Sequence, residues 1–160
     1  MIKLKARYQI IAAMICLSLA IALISIGYLV APVLFAELGK KQAGEIAGIL
    51  FSQMSWVVLI SLMIITAAYL FFEKSLASIK SLLVSLLLVG SLKFWITAWM
   101  VEIKLNNPLG VTYGAADWRL FASLHGVYQL FYLVVVILLI FWSVKTLLTA
   151  AKPVTKAISS

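Results

Sequence analysis

A chain of 160 residues that is 65% hydrophobic and 11% charged, with a mean hydropathy of +1.16, excludes an ordinary soluble domain, because a globule of this size has too little interior for so much apolar surface. The net charge is +8, but the basic residues gather at the ends of apolar runs, where they hold helix termini at lipid headgroups. No basic stripe stands apart to receive a nucleic acid. The lipid bilayer is therefore the expected solvent and first partner, and the single cysteine, Cys16, excludes an intrachain disulfide or a cysteine metal cluster.

Charges divide the chain into four apolar segments, at residues 10–35, 46–72, 81–103 and 120–144. Each is close to or above the roughly 20 residues that a helix needs to cross a bilayer. The first comes after Lys3, Lys5 and Arg7 in the manner of a signal peptide. It is longer than a signal core, and Val33, Leu34, Phe35 and Ala36 lack a small-x-small cleavage pattern, so an uncleaved span is expected. Near its end, Pro32 lacks an N–H and predicts a kink that leaves the Tyr28 carbonyl without its usual partner. That kink either opens a small polar gap or only improves packing. Gly27 and Ala31 share a face and admit a close neighbour.

Gly44 and Gly48 open the second segment with a G-x-x-x-G spacing, and Ala43 and Ala47 repeat it one position earlier. Small residues at this period let helices approach in lipid, which favours packing inside the bundle over a dimer contact. Residues 73–80 form a short tie to the third segment, which carries Lys93 eleven residues before Lys104. Its backbone lies about 16 Å below the outer end of the helix. A charge at that depth is directed into the bundle and paired, or it snorkels toward water. Trp95, Trp99 and Glu102 share a face, and Glu102 is out of phase with Lys93.

The connection over 104–118 contains Asn106, Asn107, Pro108, Gly110 and Gly114 and is the longest place for a lid or recognition loop. In the fourth segment His125, Tyr128, Gln129 and Tyr132 recur at i, i+3, i+4 and i+7. They form a polar stripe that is expected to face other helices, next to Gly126. His125 is open to three roles: a structural hydrogen bond, a step in a transport or proton path, or a metal or haem ligand.

The fold expected is all-α, a polytopic membrane protein with one transmembrane domain over 1–160 built as an antiparallel four-helix bundle. Lys3, Lys5, Arg7, Lys74, Lys80, Lys145, Lys152 and Lys156 fall on one side, and Lys40, Lys41, Lys104 and Arg119 on the other. This predicts a bacterial cytoplasmic (inner) membrane protein with both termini in the cytoplasm. Glu37, Glu45, Glu102 and Asp117 then lie outside.

No Gly-rich phosphate loop, H-E-x-x-H or G-x-S-x-G occurs, and Ser123 and His125 do not face each other on a helix. No enzymatic activity is expected. The residues Ala31, Pro32, Val33, Leu34 and Phe35, then Ala43, Gly44, Gly48 and Phe51, then Glu102, then Phe121, Leu124, His125 and Gly126 resemble the bacterial branch of the transmembrane protein 205-like family, a four-span domain of unknown function. The resemblance implies export or trafficking of metal-containing or cationic compounds, and the positions matching the family are Pro32, Phe35, Gly44, Gly48, Glu102, Phe121, His125 and Gly126. Tyr128 and Gln129 depart from the small hydroxyl residues of the eukaryotic pattern.

Three functions are consistent with these features. The first is a transport-related or accessory membrane protein with an outer-leaflet polar pocket drawn from Glu37, Lys93, Glu102, Arg119, His125, Tyr128 and Gln129, with Gly27, Pro32, Gly44, Gly48 and Gly126 serving helix packing. It needs no cofactor or metal, and a homo-oligomer or larger membrane partner would complete a pathway. The second is a membrane redox protein binding haem or a metal through His125. The third is a structural or assembly subunit.

Overall fold

A computed structural model describes residues 2–73, 76–107, 110–111, 114 and 116–150. Among them no strand occurs, and four helices are long and apolar enough to cross a membrane: Arg7–Glu37, Lys40–Phe72, Ile79–Asn106 and Trp118–Ala150, hereafter the first to fourth spans. Helices are what hydrocarbon demands, because only they satisfy every backbone donor and acceptor within one segment. The protein is thus an all-α integral membrane protein, and its four crossings return Ala150 to the side of Arg7.

The helices run beyond the apolar segments. The second begins at Lys40 and the third ends at Asn106, since Lys41, Glu45 and Lys104 are adequate helix formers outside the hydrocarbon. Between the first two spans only Leu38 and Gly39 remain. The Leu38 N–H donates to the Leu34 carbonyl and the Ala43 N–H to the Gly39 carbonyl, both at 2.9 Å. Of the tie at 73–80, all but Lys74 and Ser75 is helical, and those two lie outside the described residues.

Ala12, Ala13, Cys16 and Ala20 on the first span are fully buried and join Leu62, Ile79, Leu82, Val135, Leu139 and Trp142 in one core. Small side chains let the first span lie close along the fourth, its principal neighbour. The fourth also packs on the third, and the third on the second. The seam between the first and second spans is the loosest. At the end holding Arg7 that seam is tied by aromatic groups: the Tyr8 hydroxyl donates to the Ile65 carbonyl at 3.0 Å, and the Tyr8 ring sits 5.6 Å from Tyr69, which in turn meets Trp142 at 5.3 Å.

Two spans contain a π-helical segment, Ser25–Val30 and Leu92–Ile96. The first changes the expected consequence of Pro32. The Ala31 N–H reaches back to the Ile26 carbonyl, five residues earlier, so the ladder is shifted before the proline and its missing N–H falls opposite Gly27 rather than Tyr28. Pro32 then begins the α-helix Ala31–Glu37, where a proline is tolerated because its N–H is not required.

The expected packing glycines divide. At Gly27 an added Cβ would meet the Tyr132 ring at 3.0 Å, so the close approach is real, whereas a Cβ added at Gly126 would meet no neighbouring helix within 4 Å. Gly44 and Gly48 meet only the tip of Phe35 at 3.9 Å and the Lys104 ammonium at 4.0 Å. The alanines one position earlier, Ala43 and Ala47, are the buried pair. Rotation of the second helix by one residue from the glycine face therefore decides which small residues pack.

Candidate functional site

Lys93 enters the π-helical segment of the third span one residue after its start. A π-helical turn adds a residue to the helix and rotates the turns beyond it, a device often found where a side chain must be re-aimed. Thr97 stabilises the wide turn, its hydroxyl donating to the Leu92 carbonyl at 2.7 Å. Lys93 is directed across to the second span. Its ammonium donates to Ser52 Oγ at 2.5 Å and to the Ser52 carbonyl at 3.4 Å. It also lies 5.1 Å from the centre of the Trp56 ring, which Phe94 supports edge-on at 5.7 Å.

The lysine is half-buried, and no carboxylate among the described residues pairs with it. Its three partners are a hydroxyl, a carbonyl and a π face, all electron-rich and none charged. They solvate the cation without neutralising it. Simple snorkelling does not describe this geometry, because the ammonium ends on the neighbouring helix.

The other residues expected in a polar pocket do not gather around Lys93. The fourth-span stripe splits by face. Tyr132 is buried and its hydroxyl donates to the Leu23 carbonyl at 2.6 Å, just before the first π-helical segment, where the regular ladder of carbonyl partners is interrupted. Tyr128 is half-buried. Phe51 packs edge-on against both rings, 5.9 Å from Tyr128 and 5.4 Å from Tyr132.

His125 and Gln129 lie on the exposed side, contrary to the expectation that the whole stripe faces other helices. A stripe of this spacing is wide enough for its two edges to point to different surroundings. The Gln129 amide donates to His125 Nε2 at 3.1 Å, so these two side chains satisfy each other. The His125 ring stacks on Phe121 at 6.3 Å and 9°. His125 is thus exposed and does not lie between facing helices of the same chain. Among the described residues no three His, Cys, Asp or Glu side chains come together as a metal site.

At the end of the bundle opposite Arg7, Lys104 crosses from the third span to the Gly44 carbonyl at 3.5 Å and lies 5.9 Å from the Phe121 ring centre. Glu37, Glu102 and Arg119 are exposed, as are Trp95 and Trp99 on the lipid-facing side. The sequence did not single out Ser52 or Trp56. The available signal was their i, i+4 spacing on the second span, which places a hydroxyl and an indole on one face. The connection before the fourth span is tied by Asn107, whose amide donates to the Ile103 carbonyl at 2.9 Å and to Asp117 Oδ2 at 3.1 Å. Gly110 and Gly114 take positive φ values of 100° and 98°, as a turn of this kind requires. Pro108 lies outside the described residues.

Comparison with family models matches residues 15–108 to a domain of unknown function, DUF4149. The match covers the first span from residue 15 onward and the second and third in full, and includes Ser52, Trp56 and Lys93, but not His125. Comparison with curated proteins and with solved structures finds no match.

Proposed function

This chain belongs to the DUF4149 family, a domain of unknown function, and from that premise we propose that it is a small transport-related or accessory protein of the bacterial cytoplasmic membrane whose working group is Lys93. The observation that carries this is a lysine deep in a span, aimed at a neighbouring helix and held by Ser52 and Trp56 without an acidic partner. Ionisable groups at that depth are costly and mark ion or substrate paths. An uncompensated ammonium favours an anionic or electron-rich ligand over a cation. This departs from the cationic cargo implied by resemblance to the transmembrane protein 205-like family, which stays part of the proposal only as kinship. The positions of that resemblance on the fourth span, Phe121, His125 and Gly126, fall outside the matched residues.

In this reading both termini are cytoplasmic, by the excess of Lys and Arg on their side. Glu37, Glu102 and Arg119 do not close around Lys93, so a homo-oligomer or larger membrane partner completes any pathway. No catalytic step or resident cofactor is invoked. Proteoliposomes assayed with a panel of inorganic and organic anions beside monovalent and divalent cations test it. Binding or flux of an anion is expected, with a loss of tenfold or more in Lys93→Met. Cation flux indifferent to Lys93→Met, or no binding of any anion, would overturn it.

A further inference from the structure

The loose seam between the first and second spans leaves a groove of about 570 Å³, lined by Ile10, Met14, Ser18 and Ala22 on one side and by Met54 and Val57 on the other. We propose that this groove holds one acyl chain of an anionic phospholipid, with the phosphate at Arg7.

The length of the groove suits the occupant. From Ile10 to Ala22 the helix rises about 18 Å, close to the roughly 15 Å depth of one bilayer leaflet. A single extended hydrocarbon chain of one leaflet runs the length of such a groove. The lining agrees with this: Ser18 and Ala22 are small enough to form a floor, and Met14 and Met54 are flexible side chains that adapt to an irregular chain.

Charge placement identifies the headgroup. Arg7, Ile10, Met14 and Ser18 recur at i, i+3, i+7 and i+11, so the guanidinium stands on the same helix face as the groove, one turn beyond its end. Arg7 is exposed. Lys3 and Lys5 precede it in the same helix, Ile2–Ile24, and Glu73 is the one acidic residue on that side of the sequence. A guanidinium presents a planar fork of donors that matches phosphate oxygens. Tyr8 crosses the seam at this end, its hydroxyl donating to the Ile65 carbonyl at 3.0 Å, and so bounds the groove next to Arg7.

The full chain purified in mild detergent, incubated with phosphatidylglycerol or phosphatidylethanolamine of matched acyl chains and examined by native mass spectrometry, tests the assignment. One lipid per chain is expected to survive collisional removal of detergent, with phosphatidylglycerol preferred. Arg7→Gln should reduce that preference about fivefold, the effect of one basic residue at an anionic surface. Ala22→Phe should abolish retention of both lipids, with helix content and thermal midpoint as in the parent chain. Ser18→Phe, whose side chain is exposed in the groove, repeats the test if Ala22→Phe does not fold. Retention unchanged in both groove-filling variants overturns the proposal, as does a headgroup preference indifferent to Arg7→Gln. Efficient disulfide cross-linking of Met14→Cys between two chains would instead assign the groove to a second copy.

Discussion

Gly27 lies directly against the ring of Tyr132. A Cβ at position 27 would come within 3.0 Å of Tyr132 Cε1, and the ring cannot swing away freely because its hydroxyl is bound to the Leu23 carbonyl at 2.6 Å. Glycine here is a condition for joining the first and fourth spans at this level.

Gly27→Ala is therefore expected to lower stability by about 1–3 kcal/mol through overpacking, despite the roughly 1 kcal/mol by which alanine favours a helix over glycine. Gly126→Ala, with open space around it, should be neutral or slightly stabilising. Thermal unfolding of both variants in the same detergent measures this. Equal effects at the two positions would remove the Tyr132 contact as the cause. Tyr132→Phe should cost about 0.6–1.7 kcal/mol, the range for hydrogen bonds between membrane helices.

Lys93 and Ser52 are expected to respond in opposite directions. Ser52→Ala strips the ammonium of its nearest acceptor, 2.5 Å away, and should destabilise by about 1–3 kcal/mol. Lys93→Met removes the charge and its desolvation together, and should leave stability unchanged or raise it. If Lys93→Met unfolds the protein instead, the lysine serves the fold rather than a ligand.

The second span should tolerate change on its glycines and not on its alanines. Ala43→Leu is expected to cost about 1–3 kcal/mol, because Ala43 is fully buried and the site has no room for the added volume. Gly44→Ala and Gly48→Ala, with neighbours no nearer than 3.9 Å and 4.0 Å, should be accepted with little loss. Expression and thermal midpoints of the three variants decide it. A severe loss at Gly44 with tolerance at Ala43 would reverse the assignment of faces.

Thr66, Ser85 and Ser143 carry buried hydroxyls without a hydrogen-bond partner, whereas Ser55 and Ser91 each donate to the carbonyl four residues earlier. Removing an unpaired buried hydroxyl recovers its desolvation cost, of the order of 1–3 kcal/mol. Ser85→Ala and Ser143→Ala are expected to be neutral or stabilising in chemical denaturation. A clear loss in either would mean that the hydroxyl is bound, and solvent exchange at that position would then show water.

Four apolar runs, of which only the third carries charges inside it, are enough to specify four membrane-crossing helices, because the transfer of apolar side chains and the satisfaction of backbone groups in lipid are properties of each segment alone. The depth of Lys93 was legible for the same reason: it needs only the rise per residue. Which side chains face one another was not. The G-x-x-x-G of Gly44 and Gly48 pointed to one helix face, and the bundle buried Ala43 and Ala47 beside it. The stripe through His125, Tyr128, Gln129 and Tyr132 had one period but two surroundings. Rotation of a helix about its axis costs little until its neighbours are in place, and two π-helical segments change that rotation partway along a span. The segments and their depths were thus decided by composition along the chain. The pairing of Lys93 with Ser52 and Trp56, the seating of Tyr132 on Gly27 and the open seam beside Arg7 were decided only by packing, since each depends on side chains that meet from different helices.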